Sequence, residues 1–217
     1  MDGQSVGGGL LGRLGRIIRA TLSAGARKEL RKVTIETLQP GDVIEFWDGQ
    51  HAMVESVLDC TEELAGRITR WQWVLLDTGT VLEISREGRR IFDRSVICYQ
   101  GSPEFDALVA EPERGGILKT FEARVREGRS AAEPVIYERE GVRWVVRSTG
   151  TFAAVVRGRP LEREVWADIS SDPAQNVYFE MDEIGGPGEL LGIWTTHILL
   201  LYGRRLQESD ITGLFGA

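Results

Sequence analysis

Carboxylates are the side chains in this sequence with the most scope for chemistry. They fall into two groups, one in each half of the chain: Glu45, Asp48, Glu55, Asp59, Glu62 and Glu63, and Glu180, Asp182, Glu183 and Glu189. Two carboxylates can divide the roles of general acid and general base when their environments differ. Strand alternation places Glu180 and Asp182 on one face, where they could also hold a hard cation. Acidic residues on strand faces and turns more often keep sheet edges soluble, so we predict no catalytic residue and no metal ligand.

Histidine and cysteine offer few alternatives. His51 and His197 lie in different halves of the chain, and we expect each isolated histidine to be structural rather than catalytic. Cys60 and Cys98 lack the C-x-x-C spacing of a zinc or redox site, so we expect reduced thiols in strands. The sequence also has no G-x-S-x-G nucleophile motif. It predicts no cofactor, and enzyme activity is left open with the balance against it.

Tryptophan is frequent, and its positions are Trp47, Trp71, Trp73, Trp144, Trp166 and Trp194. Most of these side chains should pack in the core, because aromatic residues dominate small β cores. Trp71 and Trp73 have the same parity on a predicted strand and therefore share a face. An exposed pair of this kind could stack on a ligand or a partner. The two are our candidate stacking residues, although core packing is favoured.

A basic, amphipathic segment lies near the N-terminus. At about 100° per residue, residues 10–24 place large aliphatic side chains on one side of a helix and arginines on the other. The candidate docking face comprises Leu10, Leu14, Ile17 and Ile18 together with Arg13, Arg16 and Arg19. Gly12 and Gly15 each cost about 1 kcal/mol of helix propensity, so this helix needs a surface to fold against. That surface could be its own domain, a second copy, a partner protein or a membrane.

The charge distribution separates this segment from the rest of the chain. The 217 residues have a net charge of −7. Residues 1–32 contain seven basic and two acidic residues, so they carry +5 and the remainder carries −12. An acidic body repels phosphate backbones, which disfavours nucleic acid as a partner. No stretch matches a signal peptide or the roughly 20 apolar residues of a membrane span, so we expect a cytoplasmic protein.

Short β-rich segments separated by turn signals fill the chain after Lys32. Apolar residues make up 42% of the chain and charged residues 27%, values that exclude wholesale disorder. Asp48-Gly49 and Glu140-Gly141 indicate tight hairpins. No long helical period separates the strands, and even Glu164 to Ile169 is predicted as a strand. The predicted fold is mainly β, with two antiparallel lobes of the small barrel or sandwich type preceded by the amphipathic helix.

Glycine- and proline-rich stretches set the predicted domain boundaries. The segments are a disordered stretch at 1–9, a basic amphipathic helical arm at 10–32, a first β lobe at 33–100, a connector at 101–116 and a second β lobe at 117–213. The two halves are weakly similar around Asp48-Gly49 and Glu140-Gly141. Whether the lobes are true repeats stays open at this point.

A series of distinct corner, turn and strand motifs extends along most of the chain. They are Leu38-Gln39-Pro40-Gly41-Asp42, Asp48-Gly49, Trp71–Leu76 followed by Val81–Ile84, and a closing pattern at Val177–Glu180, Gly203 and Asp210-Ile211. Over residues 33–211 this set resembles the bacterial family called domain of unknown function 4178. The chain departs from the family at 60–70, where a Gly- and Tyr-rich stretch is usual, and in its long linker. The resemblance implies a bacterial, cytoplasmic, β-rich module and supplies no catalytic residue.

Together these observations predict a non-enzymatic β-rich interaction or scaffold module that docks through its N-terminal helix. The expected partner is another protein or a second copy, and residues 10–24 could also make peripheral membrane contact. The alternative is a small hydrolase or ligand-binding enzyme that uses carboxylates in a groove between the lobes. Buried, paired carboxylates in a concave pocket would favour that enzyme.

Overall fold

The computed structural model describes residues 32–85, 88–98, 136–159, 164–172 and 176–217, and its elements are mainly strands. This confirms the predicted mainly β class. The strands are β1 (Val43–Phe46), β2 (His51–Leu64), β3 (Arg67–Leu76), β4 (Val81–Ser85), β5 (Gly88–Cys98), β6 (Ile136–Arg139), β7 (Val142–Gly158), β8 (Asn176–Glu183), β9 (Gly188–Trp194), β10 (Ile198–Arg205) and β11 (Ile211–Phe215). The described helices are α1 (Glu164–Ser171) and two short 3-10 helices, Ile35–Thr37 and Glu208–Asp210. None of them has the length and hydrophobicity needed to cross a membrane.

Eight of the strands close into an antiparallel barrel. Around the ring the order is β2-β3-β4-β5-β10-β9-β8-β7, and the pairing of β7 with β2 completes the circle. Each half of the chain supplies a four-stranded meander, and the meanders meet at two seams, β5 with β10 and β2 with β7. If β2, β3, β4 and β5 are exchanged with β7, β8, β9 and β10 respectively, every strand keeps the same kind of neighbour. The ring is therefore symmetric with respect to the two meanders. β1 and β11 extend the sheet beyond β2, and β6 extends it beyond β7.

The structure differs from the prediction in how the two lobes are arranged. The strands described in 33–100 and in 117–213 do not form two separate barrels or sandwiches, because they share one barrel. A four-stranded sheet has two open edges, and pairing the two sheets at both seams protects all four. The predicted disordered stretch at 1–9, the predicted helix at 10–24 and the connector at 101–116 lie outside the described residues.

Two hairpin turns follow the sequence signals. Glu140 and Gly141 both have positive φ, 53° and 78°, which is the conformation of a two-residue type I′ turn. Gly49 has a φ of 79° in the turn between β1 and β2. These turns fix the register of the strands that flank them, since Arg139 pairs with Val142 directly across the β6–β7 turn.

Aromatic and aliphatic side chains fill one end of the barrel interior. Trp73 is fully buried, and its ring meets Phe152 edge-on with centroids 4.9 Å apart. Trp71 packs beside it at a centroid distance of 5.9 Å. An eight-stranded barrel is just wide enough for side chains to fill its interior, and these large rings do so here.

Helix α1 covers this aromatic end of the barrel. Val165, Trp166 and Ile169 are buried and pack on the barrel core, and Trp166 lies 6.2 Å from Trp73 between ring centroids. The prediction of a strand at 164–169 is wrong. Apolar residues at positions i, i+1 and i+4 share one face of a helix, whereas in a strand they would point to both faces.

Two further cores lie outside the barrel wall. One is formed where the segment before β1 packs against the outer faces of β2, β3 and β4, with Leu38, Ile44 and Leu82 fully buried. The other covers β8 to β10 and the β6–β7 hairpin, and it contains Phe179 and Leu200. The barrel strands are therefore buried on both faces over much of their length, which explains their continuous apolar runs.

Candidate functional site

A cluster of charged side chains fills the barrel interior at the end opposite α1. We call Glu83, Arg90, Arg147, Glu180 and Glu189 the charged cluster. Strand registers place them inside: Glu83 pairs with Arg90 across β4 and β5, and Glu83 also lies opposite the buried Trp73. Glu180 pairs with the inward-facing Leu191 across β8 and β9. Residues from both halves of the chain therefore meet at this end.

Arg90 is the centre of the charged cluster, and its side chain is only 2% exposed. Its Nη1 lies 2.6 Å from Glu180 Oε1 and 3.2 Å from Glu83 Oε1, and its Nε lies 3.0 Å from Glu189 Oε2. One guanidinium therefore faces three carboxylates. Desolvation opposes burial of any of these charges, and the mutual pairing offsets that penalty.

Glu180 is ionised by its surroundings. It accepts hydrogen bonds from Arg90, from Arg147 Nη2 at 2.6 Å and from the Ser148 hydroxyl. Burial alone would raise the pKa of Glu180, but the two guanidinium groups and the Ser148 hydroxyl outweigh it and hold the pKa below its usual value of 4.5.

Glu83 is in a different environment, although it belongs to the same cluster. Its side chain is 2% exposed, and Trp73 Nε1 donates to its Oε2 at 3.0 Å. Burial and the neighbouring Glu180 carboxylate raise the pKa of Glu83 to about 7, and Arg90 and Trp73 only partly oppose them. At neutral pH this carboxyl group is therefore divided between its protonated and ionised forms.

Glu62 reaches into the interior from β2, close to Gly150 of β7. Tyr178 donates its hydroxyl to Glu62 Oε2 at 3.0 Å. A Cβ at Gly150 would collide with the Glu62 carboxylate, so this glycine provides the space that the carboxylate occupies. Burial raises the pKa of Glu62, and the hydrogen bond from Tyr178 opposes that change.

The rim of this end carries a second layer of ion pairs. Arg205 Nε lies 3.2 Å from Glu189 Oε1, and Arg147 Nη1 lies 3.6 Å from Asp182 Oδ1. Positive and negative groups therefore alternate from the rim to the centre of the charged cluster. Chemically, this arrangement can retain a proton at Glu83 and fix the strands that carry its members. Within the described ranges, no group of histidine, cysteine and carboxylate side chains could hold a metal ion.

A smaller polar cluster attaches α1 to the other end of the barrel. Asp168 Oδ2 accepts hydrogen bonds from Thr195 at 2.7 Å and from Thr196, both in the turn between β9 and β10. His197 Nδ1 lies 3.1 Å from the same oxygen. Burial would raise the pKa of Asp168, but these hydrogen bonds lower it overall. The cluster fixes the helix over the aromatic end.

The structure brings some of the predicted carboxylates together and separates the others. Glu180, Asp182 and Glu189 meet at the charged end, and Glu62 from the first half approaches them. Of the other predicted carboxylates, Asp59 accepts two hydrogen bonds from Arg157 outside the barrel. The other members of the two sequence groups, Glu45, Asp48, Glu55, Glu63 and Glu183, are not part of the charged cluster.

Sequence reasoning missed Glu83 and Arg90, the two most deeply buried members of the cluster. A single charged residue in the apolar run of β4 was a possible signal, because Glu83 has the same parity as Val81. Arg90 had no comparable local signal.

The other predicted site residues have varied positions. Trp71 and Trp73 lie inside the barrel, at 8% and 0% exposed, so neither presents its ring to solvent. His51 Nε2 lies 3.9 Å from Glu45 Oε1 on the outer sheet. Cys60 is a buried free thiol, and burial raises its pKa. The side chain of Cys98 and the candidate docking face at residues 10–19 lie outside the described part of the chain.

Comparison with known proteins identifies no relative of this chain. No family model, no curated protein and no solved structure matches the chain. The interpretation of the charged cluster therefore rests on its own distances, burial and electrostatics.

Proposed function

We propose that the chain is a non-enzymatic β-rich interaction or scaffold module that docks through residues 10–24. One observation carries this proposal: the charged groups inside the barrel are paired with one another. Arg90 faces three carboxylates within 3.2 Å, and its side chain is 2% exposed. A catalytic carboxylate must reach its substrate, whereas these carboxylates are engaged with arginines of the same chain.

The other end of the barrel supports the same proposal. Trp73, Phe152 and Trp166 fill it, and α1 covers it. With both ends of the interior occupied by the protein's own side chains, binding falls to outer surfaces and to the N-terminal arm. The arm carries net positive charge and the body net negative charge. The proposed targets are a protein partner, a second copy or a membrane surface. We also propose a cytoplasmic location and membership of the family that the sequence resembles.

Paired variants of the arm test this function. Burying one Leu or Ile stabilises by about 1.5–3 kcal/mol, and one Arg near an anionic lipid surface contributes about 1 kcal/mol. Replacing Leu14 and Ile17 with Asp should therefore abolish docking, while replacing Arg13 and Arg16 with Gln should weaken it moderately and mainly at low salt.

The measurements are co-sedimentation with phosphatidylcholine vesicles, with and without phosphatidylserine, and analytical ultracentrifugation for self-association. Comparison of the proteins that co-purify with the natural sequence and with each double variant completes the set. If both double variants match the natural sequence in every measurement, the arm does not dock and the proposed function is wrong.

A hydrolase is the second candidate, favoured by one specific observation. The pKa of Glu83 is raised to about 7 while that of Glu180 is lowered, and two carboxylates with divergent pKa values can act as acid and base. The test is a screen with chromogenic ester, phosphoester and glycoside substrates. An activity that disappears in both Glu83→Gln and Glu180→Gln, with Glu63→Gln unaffected, would establish the enzyme. If the natural sequence turns over none of these substrates faster than a combined Glu83→Gln, Glu180→Gln variant, the enzyme is excluded for them.

A further inference from the structure

A surface groove of about 450 Å³ runs beside β11, where the chain enters the described region. Its lining includes Val33, Ile35 and Glu36 from the segment before β1, and Thr212 and Leu214 from β11. Among the described strands, β11 pairs only with β1, so its second edge has no strand partner. Proteins commonly protect such an edge by covering it with a helix or a loop.

The groove has an apolar floor, and an acidic and a basic side chain pair with each other on its wall. Val33, Ile211 and Leu214 are apolar and only partly buried at the margin of the outer core. Glu36 has a side chain 62% exposed, and Arg89 Nη2 lies 3.6 Å from its Oε1. The site therefore presents aliphatic surface next to a carboxylate that is weakly held by one cation.

We propose that residues 10–24 of the same chain dock in this groove, with their aliphatic face on Val33, Ile211 and Leu214. The proposal rests on the docking role assigned to the arm above, and it adds that the arm is held on its own body until a partner or membrane competes. The kind of occupant follows from chain continuity. Val33 lines the groove and directly follows Lys32, the first described residue and the end of the predicted arm.

The dimensions of arm and groove agree. A helix over residues 10–24 would be about 22 Å long, and the five residues of β11 extend about 17 Å. The nine residues from 24 to 33 can span up to about 30 Å, so the helix can fold back along the strand. Net charge favours the same contact, since residues 1–32 carry +5 and the rest of the chain −12.

Hydrogen exchange on the 217-residue chain tests the contact. We expect peptides from 33–37 and 208–217 to exchange about five- to tenfold faster in the Leu14→Asp, Ile17→Asp variant than in the natural sequence. Arg13→Gln, Arg16→Gln should give a smaller increase that vanishes at high salt. Equal exchange in the natural sequence and the Leu14→Asp, Ile17→Asp variant would overturn the proposal.

A second variant approaches the contact from the groove. Thr212 is an exposed groove residue, so Thr212→Arg adds a positive charge facing the basic arm without disturbing the core. Exchange in the peptide 10–24 should become about five- to tenfold faster. Thr151→Arg is the matched control, because Thr151 is an exposed residue of β7 and does not line the groove. If both variants leave the arm peptide unchanged, or both accelerate it equally, the groove is not its binding site.

Two further outcomes separate this proposal from its alternatives. Protection that is lost on about tenfold dilution would assign the groove to the arm of a second copy and overturn intramolecular docking. If the arm variants abolish vesicle or partner binding but leave exchange at β11 unchanged, the inference fails and the proposed function stands. If exchange at β11 responds but no external binding does, the proposed function fails and the contact with the chain's own body stands.

Discussion

Replacing Glu83 with Gln removes the carboxyl group of the charged cluster whose pKa is raised, so it shows how the ionisation of Glu83 affects stability. The pKa of Glu83 is raised to about 7 from an ordinary 4.5, so the folded chain binds this proton more tightly than the unfolded chain. Stability from this group is therefore complete below about pH 4.5 and is lost progressively as the pH rises to about 7. Glutamine resembles the protonated acid and cannot ionise, so the variant should lack that loss.

The magnitude follows from the two pKa values. The difference between 4.5 and about 7 corresponds to about 3 kcal/mol of unfolding free energy, of which about 2–3 kcal/mol is lost between pH 5 and pH 8.5. Trp73 donates to Glu83 Oε2 at 3.0 Å, and Arg90 Nη1 forms an ion pair with Glu83 Oε1 at 3.2 Å. The glutamine NH₂ group must face one of these two donors. That conflict costs about 1 kcal/mol at every pH. Glu83→Gln should therefore be within about 1 kcal/mol of the natural sequence in stability at pH 5 and about 2 kcal/mol more stable at pH 8.5.

Urea unfolding followed by tryptophan fluorescence, at intervals from pH 5 to pH 8.5, measures this difference. Groups that titrate identically in both proteins cancel when the two curves are subtracted. Glu63→Gln is the control, because Glu63 is an exposed residue of β2 and the change in net charge is the same. A stability difference that stays constant across the pH range would show that Glu83 ionises normally, and the electrostatic reasoning would be refuted.

Three further substitutions probe other parts of the barrel. Arg90→Met leaves three carboxylates without their shared cation. The unfolding free energy, measured in urea, should therefore fall by about 3–5 kcal/mol at pH 8 and by less at pH 5. An equal loss at both pH values would contradict the ionic explanation. Gly150→Ala should cost about 1–3 kcal/mol in the same assay, and Glu62→Ala should restore part of it if the collision is the cause. Asp168→Asn should speed hydrogen exchange in α1. Because Asp168 is partly exposed, the variant should lower global stability by less than about 1 kcal/mol. Unchanged exchange would show that the contacts of Asp168 do not hold the helix.

Local patterns were sufficient to predict the mainly β class, two of the hairpin turns and the shared face of Glu180 and Asp182. Asp48-Gly49 and Glu140-Gly141 specify turns through glycine at positive φ, and both turns are where the sequence indicates. Strand parity correctly placed Glu180 and Asp182 on one face. These features depend only on residues within a few positions of one another.

Barrel closure could not be predicted in the same way, because its contacts join distant parts of the chain. Arg90 and Glu180 are 90 positions apart, and each lies in a strand that looks ordinary on its own. α1 was missed for a different reason: eight residues between two strand patterns are too few to establish a helical period. The ring order is compatible with duplication of a four-stranded unit, which stays a hypothesis.

The charged cluster also bears on how the two halves find their register. Arg90 of β5 pairs with Arg205 at the seam with β10 and contacts carboxylates on β4, β8 and β9. A slip of one residue at the seam would turn Arg90 to the outside of the barrel and leave Glu83, Glu180 and Glu189 buried without it. A buried ionic network adds little net stability to the correct fold. It destabilises every wrong register, because a shifted register buries carboxylates without their cation, and this gives the network a structural role. We infer that the cluster specifies closure, so Arg90→Met should broaden or multiply the amide signals of β5 and β10 in NMR spectra under conditions where the chain stays folded. A single sharp set of signals in that variant would show that the apolar core alone determines the register.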